Sequence, residues 1–121
     1  MLFRFFFKLI ILVSIIHFFP ENVKANIYQL TCKNKKNSTV WIYSYKRKQV
    51  ILRQVNDQKT KVNFEINRST PSSFVSKGIV SKFDTNVTYD KKSGQLAMLQ
   101  KSLRGSNQFY KCKEPKLIKE E

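Results

Sequence analysis

The side chains able to do acid–base, nucleophilic or metal chemistry are few in this chain of 121 residues: one His (His17), two Cys (Cys32 and Cys112) and 8 carboxylates. His17 stands inside an apolar amino-terminal run, so the rest of the chain has no imidazole for a Ser-His-Asp or Cys-His nucleophile or for proton transfer near neutral pH. A structural zinc needs four nitrogen or sulfur ligands, and two Cys without His fall short. The Cys are also far from a C-x-x-C spacing, which argues against thioredoxin-type redox chemistry. A glycosidase would need two carboxylates facing across a cleft. Asp57 and Asp90 read as turn residues, Asp84 as a strand junction, Glu65 as the wet face of a strand, and Glu114, Glu120 and Glu121 as part of a terminal tail. Gly78, Gly94 and Gly105 are too scattered for a phosphate-cradling loop. The expectation is a protein that binds rather than catalyses, with no cofactor and no metal.

Charge is the chemistry that remains. Lys and Arg number 23 against 8 Asp and Glu, a formal charge of +15. Lys33, Lys35 and Lys36 precede the alternating aromatics Trp41, Tyr43 and Tyr45, and Lys46, Arg47, Lys48 and Arg53 follow them. A basic rim around an aromatic stripe is what polyanion binding needs, because ammonium groups supply potential and ring faces stack on bases or sugars. The competing reading makes the stripe part of a core and the lysines solubilising turn residues. The orientation of Trp41 separates the two, and the residues leave it open. The ligand class that fits is an anionic envelope polymer or a lipid head group; export, argued next, disfavours nucleic acid. Two alternatives stand beside it. One is a carrier of a small apolar ligand lined by Trp41 or Phe64. The other is an interaction or inhibitor module whose target is acidic, since a basic domain repels basic partners.

The elements that must position these residues begin after residue 25. Arg4 and Lys8 flank the start of the apolar run Leu9 to Phe19, which is followed by Pro20 and by small residues at Val23 and Ala25, the parts of a secretory signal peptide cleaved after Ala25. Lys8 and Pro20 leave too few apolar residues for a spanning helix, which needs about 20. Removing residues 1–25 takes away Arg4, Lys8, Lys24 and Glu21, so the remainder carries 20 − 7 = +13. The expected address is periplasmic or secreted, with a folded domain over 26–115 and a charged tail over 116–121.

From Ile27 onward the apolar residues alternate, which reads as strands. Tyr28, Leu30 and Cys32 share one face; Thr39 to Tyr45, Gln49 to Val55 and Lys59 to Asn67 follow, separated by polar turns at 34–38, 46–48 and 56–58. Arg68 to Ser73 reads as a loop. Phe74 to Phe83 reads as a weaker strand with a bulge at Gly78, continuing as strand through Asp84 to Tyr89. Asp90 to Gly94 reads as a hairpin loop. Residues 95–104 are ambiguous: Leu96, Leu99 and Leu103 fit a helical stripe capped by Gly105, yet the stretch also alternates, and strand is the preferred reading. Asn107 to Lys113 closes the domain, with Tyr110 and Cys112 on one face.

Two Cys in an oxidising compartment allow one intramolecular bridge, Cys32–Cys112, closing nearly the whole domain into one loop. Such a bridge brings the first and last strands together. The result is an all-β antiparallel meander of about seven to eight strands, either a barrel or a sandwich with a cross-sheet bridge, the alternative being α+β with a helix at 95–104.

A leader peptide, the Tyr28-x-Leu30-x-Cys32 strand, the Tyr89-Asp-Lys-Lys-Ser-Gly94 turn and the closing Tyr110-x-Cys112 together resemble a group of small secreted bacterial proteins with a lipocalin-like β-barrel. The resemblance implies an exported barrel and carries no ligand with it. Three Asn-x-Ser/Thr triplets, at Asn37, Asn67 and Asn86, are of a frequency that an Asn-, Ser- and Thr-rich chain supplies by chance.

Overall fold

The computed structural model describes residues 26–101 and 106–119. The expected signal peptide over 1–25, the Leu103 and Gly105 of the helical alternative, and residues 120–121 lie outside the described residues. Nine strands follow in chain order: β1 (Ile27–Lys33), β2 (Ser38–Ser44), β3 (Gln49–Val55), β4 (Gln58–Thr70), β5 (Ser73–Val80), β6 (Phe83–Asp90), β7 (Gln95–Gln100), β8 (Ser106–Cys112) and β9 (Lys116–Lys119). Each pairs antiparallel with its sequence neighbour from β1 to β8, and β1 returns to pair with β8, so eight strands close into a barrel. The described residues contain no helix. The barrel replaces the sandwich, and over its described residues the helical alternative at 95–104 is replaced by β7. Leu96 points inward between Tyr89 and Tyr110, while Leu99 lies opposite Asn86 and Asn107 on the other face.

The seam of the barrel is made in two pieces. Cys32 stands directly opposite Cys112 and Lys33 opposite Lys111, and the Cys32–Cys112 disulfide joins β1 to β8 there. The Lys113 N–H donates to the Thr31 carbonyl at 2.9 Å. Pro115 then interrupts the ladder, because proline has no N–H to give. Pairing resumes in β9, with Gln29 opposite Lys116 and Tyr28 opposite Leu117. The expected tail at 116–121 therefore contributes a strand instead. β8 stops level with Cys32, which leaves the first half of β1 in need of a partner.

Alternation explains the core. Leu30, Cys32, Trp41, Tyr43, Val50, Leu52, Phe64, Ile66, Phe74, Val87, Tyr89, Leu96 and Tyr110 are buried inside. Buried hydroxyls are satisfied locally: Trp41 Nε1 donates to Thr39 Oγ1 at 2.8 Å and Ser76 Oγ to the Val87 carbonyl at 2.9 Å. Tyr110 donates a short hydrogen bond to Gln108. Phe64 lies against Trp41 with ring centroids 5.9 Å apart, and Tyr43 reaches across to Tyr89 at 6.1 Å, so the interior is filled by its own side chains.

Two turns differ from the sequence expectation. Phe74 to Tyr89 is two strands, reversed at Ser81-Lys82 with φ of 50° and 73°. Both turn residues are left-handed, as a two-residue hairpin turn that follows strand twist requires, but Ser-Lys lacks the Asn-Gly signature of such turns. β4 runs on to Thr70, so the loop expected over 68–73 shrinks to Pro71-Ser72. Gly78 is no bulge either: β5 and β6 stay in register through Gly78 opposite Thr85, and the shift falls in β4 between Ile66 and Arg68. Gly78 is needed for close approach. A Cβ there would sit 2.6 Å from Phe64 Cδ1 and 2.7 Å from the Asn63 carbonyl oxygen. Gly78→Ala is expected to cost about 1–3 kcal/mol by overpacking. In a urea double-mutant cycle, Phe64→Leu should relieve the ring's share and leave the carbonyl's; additive effects would show that Phe64 is not the obstacle.

One end of the barrel is capped by aromatics. Tyr43 stacks on Tyr28 at 5.3 Å and meets Phe74 at 5.2 Å, and Tyr45 and Tyr89 complete the cluster. Burial first, then the neighbouring Tyr45, Tyr89 and Tyr28 and the Glu114 carboxylate, hold the Tyr43 hydroxyl well above the usual tyrosine range. Tyr89 is pushed up to about 12 by burial, Glu114, Tyr45 and Asp90. Because the folded values are raised, the stability from neutral phenols is complete below the unfolded value near pH 10 and is lost as pH rises through about 12. The tyrosinate absorbance of Tyr43 and Tyr89 should therefore appear together with loss of the fold. Ionisation of these two near pH 10 in a still-folded protein would count against this packing.

Candidate polyanion site

The residues that the sequence grouped as a basic aromatic rim are dispersed by the fold. Trp41 is fully buried and Tyr43 nearly so, while Tyr45 is half-buried against Tyr43 and Phe74. Inclusion of Trp41 as a contact residue is thus corrected: its ring offers no face to a ligand, because the inward register of β2 fixes it beside Phe64. Lys33, Lys35 and Lys36 lie at and just beyond the end of β1, and Lys46, Arg47 and Lys48 at the other end of β2. A seven-residue strand holds the two groups about 20 Å apart. Arg53 is exposed on the outer face of β3, separated from β1 by β2.

What the fold does bring together is Lys33, Lys35 and Lys36 with Lys111 and Phe109. The β1–β2 turn is set by Asn34, whose Oδ1 accepts from the N–H groups of Lys36 at 2.9 Å and Asn37 at 2.7 Å. This Asx-type turn presents Lys35 and Lys36 outward. Asn34 Nδ2 donates to the Phe109 carbonyl at 3.1 Å, tying the turn to β8. Since Tyr110 and Cys112 face inward, Phe109 and Lys111 face outward, and Phe109 is 53% exposed. Shallow depressions flank it: Lys35, Lys36 and Asn107 line one, and Lys33, Lys35, Gln95 and Lys111 the other. No carboxylate lines either.

Lys33 and Lys111 are direct cross-strand neighbours beside the disulfide. Like charges placed opposite each other in a ladder are destabilising, and here covalent closure next door holds them in place. Four ammonium groups around one exposed ring can take several anionic groups of a ligand while the ring packs on a sugar or base face. The signal for Phe109 and Lys111 was present in the sequence. Once Cys32 is placed opposite Cys112, antiparallel pairing puts Lys33 opposite Lys111, and the inward Tyr110 turns Phe109 out.

No protein family, curated protein or solved structure matches the chain.

Proposed function

We propose that this chain is an exported, non-catalytic module that binds an anionic polymer on the face formed by Phe109, Lys33, Lys35, Lys36 and Lys111. The observation that carries the reading is the Lys33–Lys111 cross-strand pair beside an exposed Phe109. An arrangement unfavourable in the free protein becomes favourable when an anion lies between the two ammonium groups. The charge of +13 on residues 26–121, 20 Lys and Arg less 7 Asp and Glu, and a disulfide consistent with an oxidising extracellular compartment support the same reading. The apolar-carrier alternative suggested by lipocalin-like barrels has less support, since Trp41 and Phe64, the proposed lining, pack on each other.

Heparin is the probe. The oxidised protein should bind it at low salt, and Lys33→Gln/Lys111→Gln should weaken binding about tenfold and reduce the salt slope by about 1.5. Lys48→Gln, at the far end of the barrel, should bind as wild type does. Equal affinity of the double variant and wild type, or no binding at low salt, would overturn the proposal.

A further inference from the structure

From the seam of the barrel we infer that the ligand is a linear acidic polysaccharide, laid lengthwise along β1, β8 and β9 rather than bound as a compact anion. This rests on the proposed polyanion reading and specifies its ligand. Beyond Lys111 the outer side of the seam continues with Lys113, level with Thr31, and Lys116, opposite Gln29. Lys33, Lys35, Lys36, Lys111, Lys113 and Lys116 are all exposed. From the β1–β2 turn to Lys116 the track covers about 20 Å at the rise of a strand. Its one carboxylate, Glu114, lies 3.8 Å from Lys91 Nζ, so a neighbouring loop offsets the local negative charge.

The borders of the track decide the shape of the ligand. On the β1 side the outward residues next to it are Gln29 and Thr31, followed by Ile42 and Val40 of β2. On the β7 side they are Gln95 and Ala97. The ammonium groups form a narrow band, two abreast at Lys33 and Lys111 and then in file through Lys113 and Lys116, with uncharged residues of β1, β2 and β7 on its flanks and Lys91 beside Glu114. Such a band matches a chain of charges; a lipid surface would be met by a broad basic face. Single-stranded nucleic acid is usually held by aromatic platforms on successive bases. This track has one such ring, Phe109, at one end, and beside the lysines it offers the amides of Gln29 and Gln95 and the hydroxyl of Thr31. Those groups suit a hydroxyl-rich sugar chain.

The test is calorimetry of the oxidised protein with heparin di-, tetra-, hexa- and octasaccharides. Affinity should climb at least about tenfold with length until the ligand spans the track, then level off. Lys113→Gln/Lys116→Gln should weaken the octasaccharide about five- to tenfold and leave the disaccharide unchanged, whereas Lys33→Gln/Lys111→Gln should weaken both. If Lys113→Gln/Lys116→Gln binds the octasaccharide as wild type does, or if the disaccharide already has full affinity, the lengthwise track is wrong while the polyanion site stands. No binding of heparin of any length removes both. An oligothymidylate of equal span that binds more tightly than the octasaccharide at the same salt would replace the polysaccharide with single-stranded nucleic acid.

Discussion

Replacing Cys32 and Cys112 together by Ala should lower the free energy of unfolding by about 4–5 kcal/mol. The Cys are separated by 80 positions, so the bridge removes most of the loop-closure freedom of the unfolded chain. The native side has little to substitute for it, because β8 meets β1 at two residue pairs only, Cys32–Cys112 and Lys33–Lys111. The second of these pairs is repulsive. For a domain this small the loss is comparable to its whole expected stability. Urea titrations of the oxidised protein, the reduced protein and the double variant should show the last two with a coincident, much lower midpoint. A variant midpoint close to that of the oxidised protein would show that the seam holds through β9 alone.

Trp41→Ala is expected to cost about 3–5 kcal/mol. The side chain is completely buried, contacts Phe64, and donates to Thr39, whose hydroxyl would keep only its long bond to the Cys32 carbonyl at 3.5 Å. The same burial predicts a blue-shifted emission maximum, protection from iodide, and no change when heparin is added. Quenchable, red-shifted emission that responds to heparin would put the aromatic stripe on the surface and return the ligand to β2. This is the sharpest optical test available, because the chain has a single Trp.

Much of the fold could be read from alternation alone. The limits expected for β1 and β3 coincide with those observed, and the inward set Val62, Phe64 and Ile66 is as the pattern requires. What alternation could not supply was closure. One Cys–Cys contact is compatible with a barrel or a sandwich, and only the return of β1 to β8 separates them. β9 was hidden because four residues, Lys-Leu-Ile-Lys, carry no strand signal until Ile27 to Gln29 need a partner. The Ser81-Lys82 reversal was hidden because its left-handed residues are neither Gly nor Asn. Gly78 was misread because a glycine within a strand pattern has two physical meanings, a bulge or a close approach, and the sequence does not show what approaches. The candidate site suffered from nearness in sequence being taken for nearness in space. Lysines on both sides of one strand belong to opposite ends of a barrel, while Lys33 and Lys111, far apart in the chain, are neighbours.

The two-piece seam also dictates an order of events during folding. β1 gains β2 early, through a short turn, but its other edge stays open until β8 and β9 have been made and every hairpin between has formed. Contacts so distant along the chain form late and slowly. Formation of the Cys32–Cys112 bond then reports that the two ends of the domain have met, and with two Cys in the chain any other disulfide would have to join a partner outside it. The rate at which free thiols disappear during refolding should therefore follow the slowest step of barrel assembly.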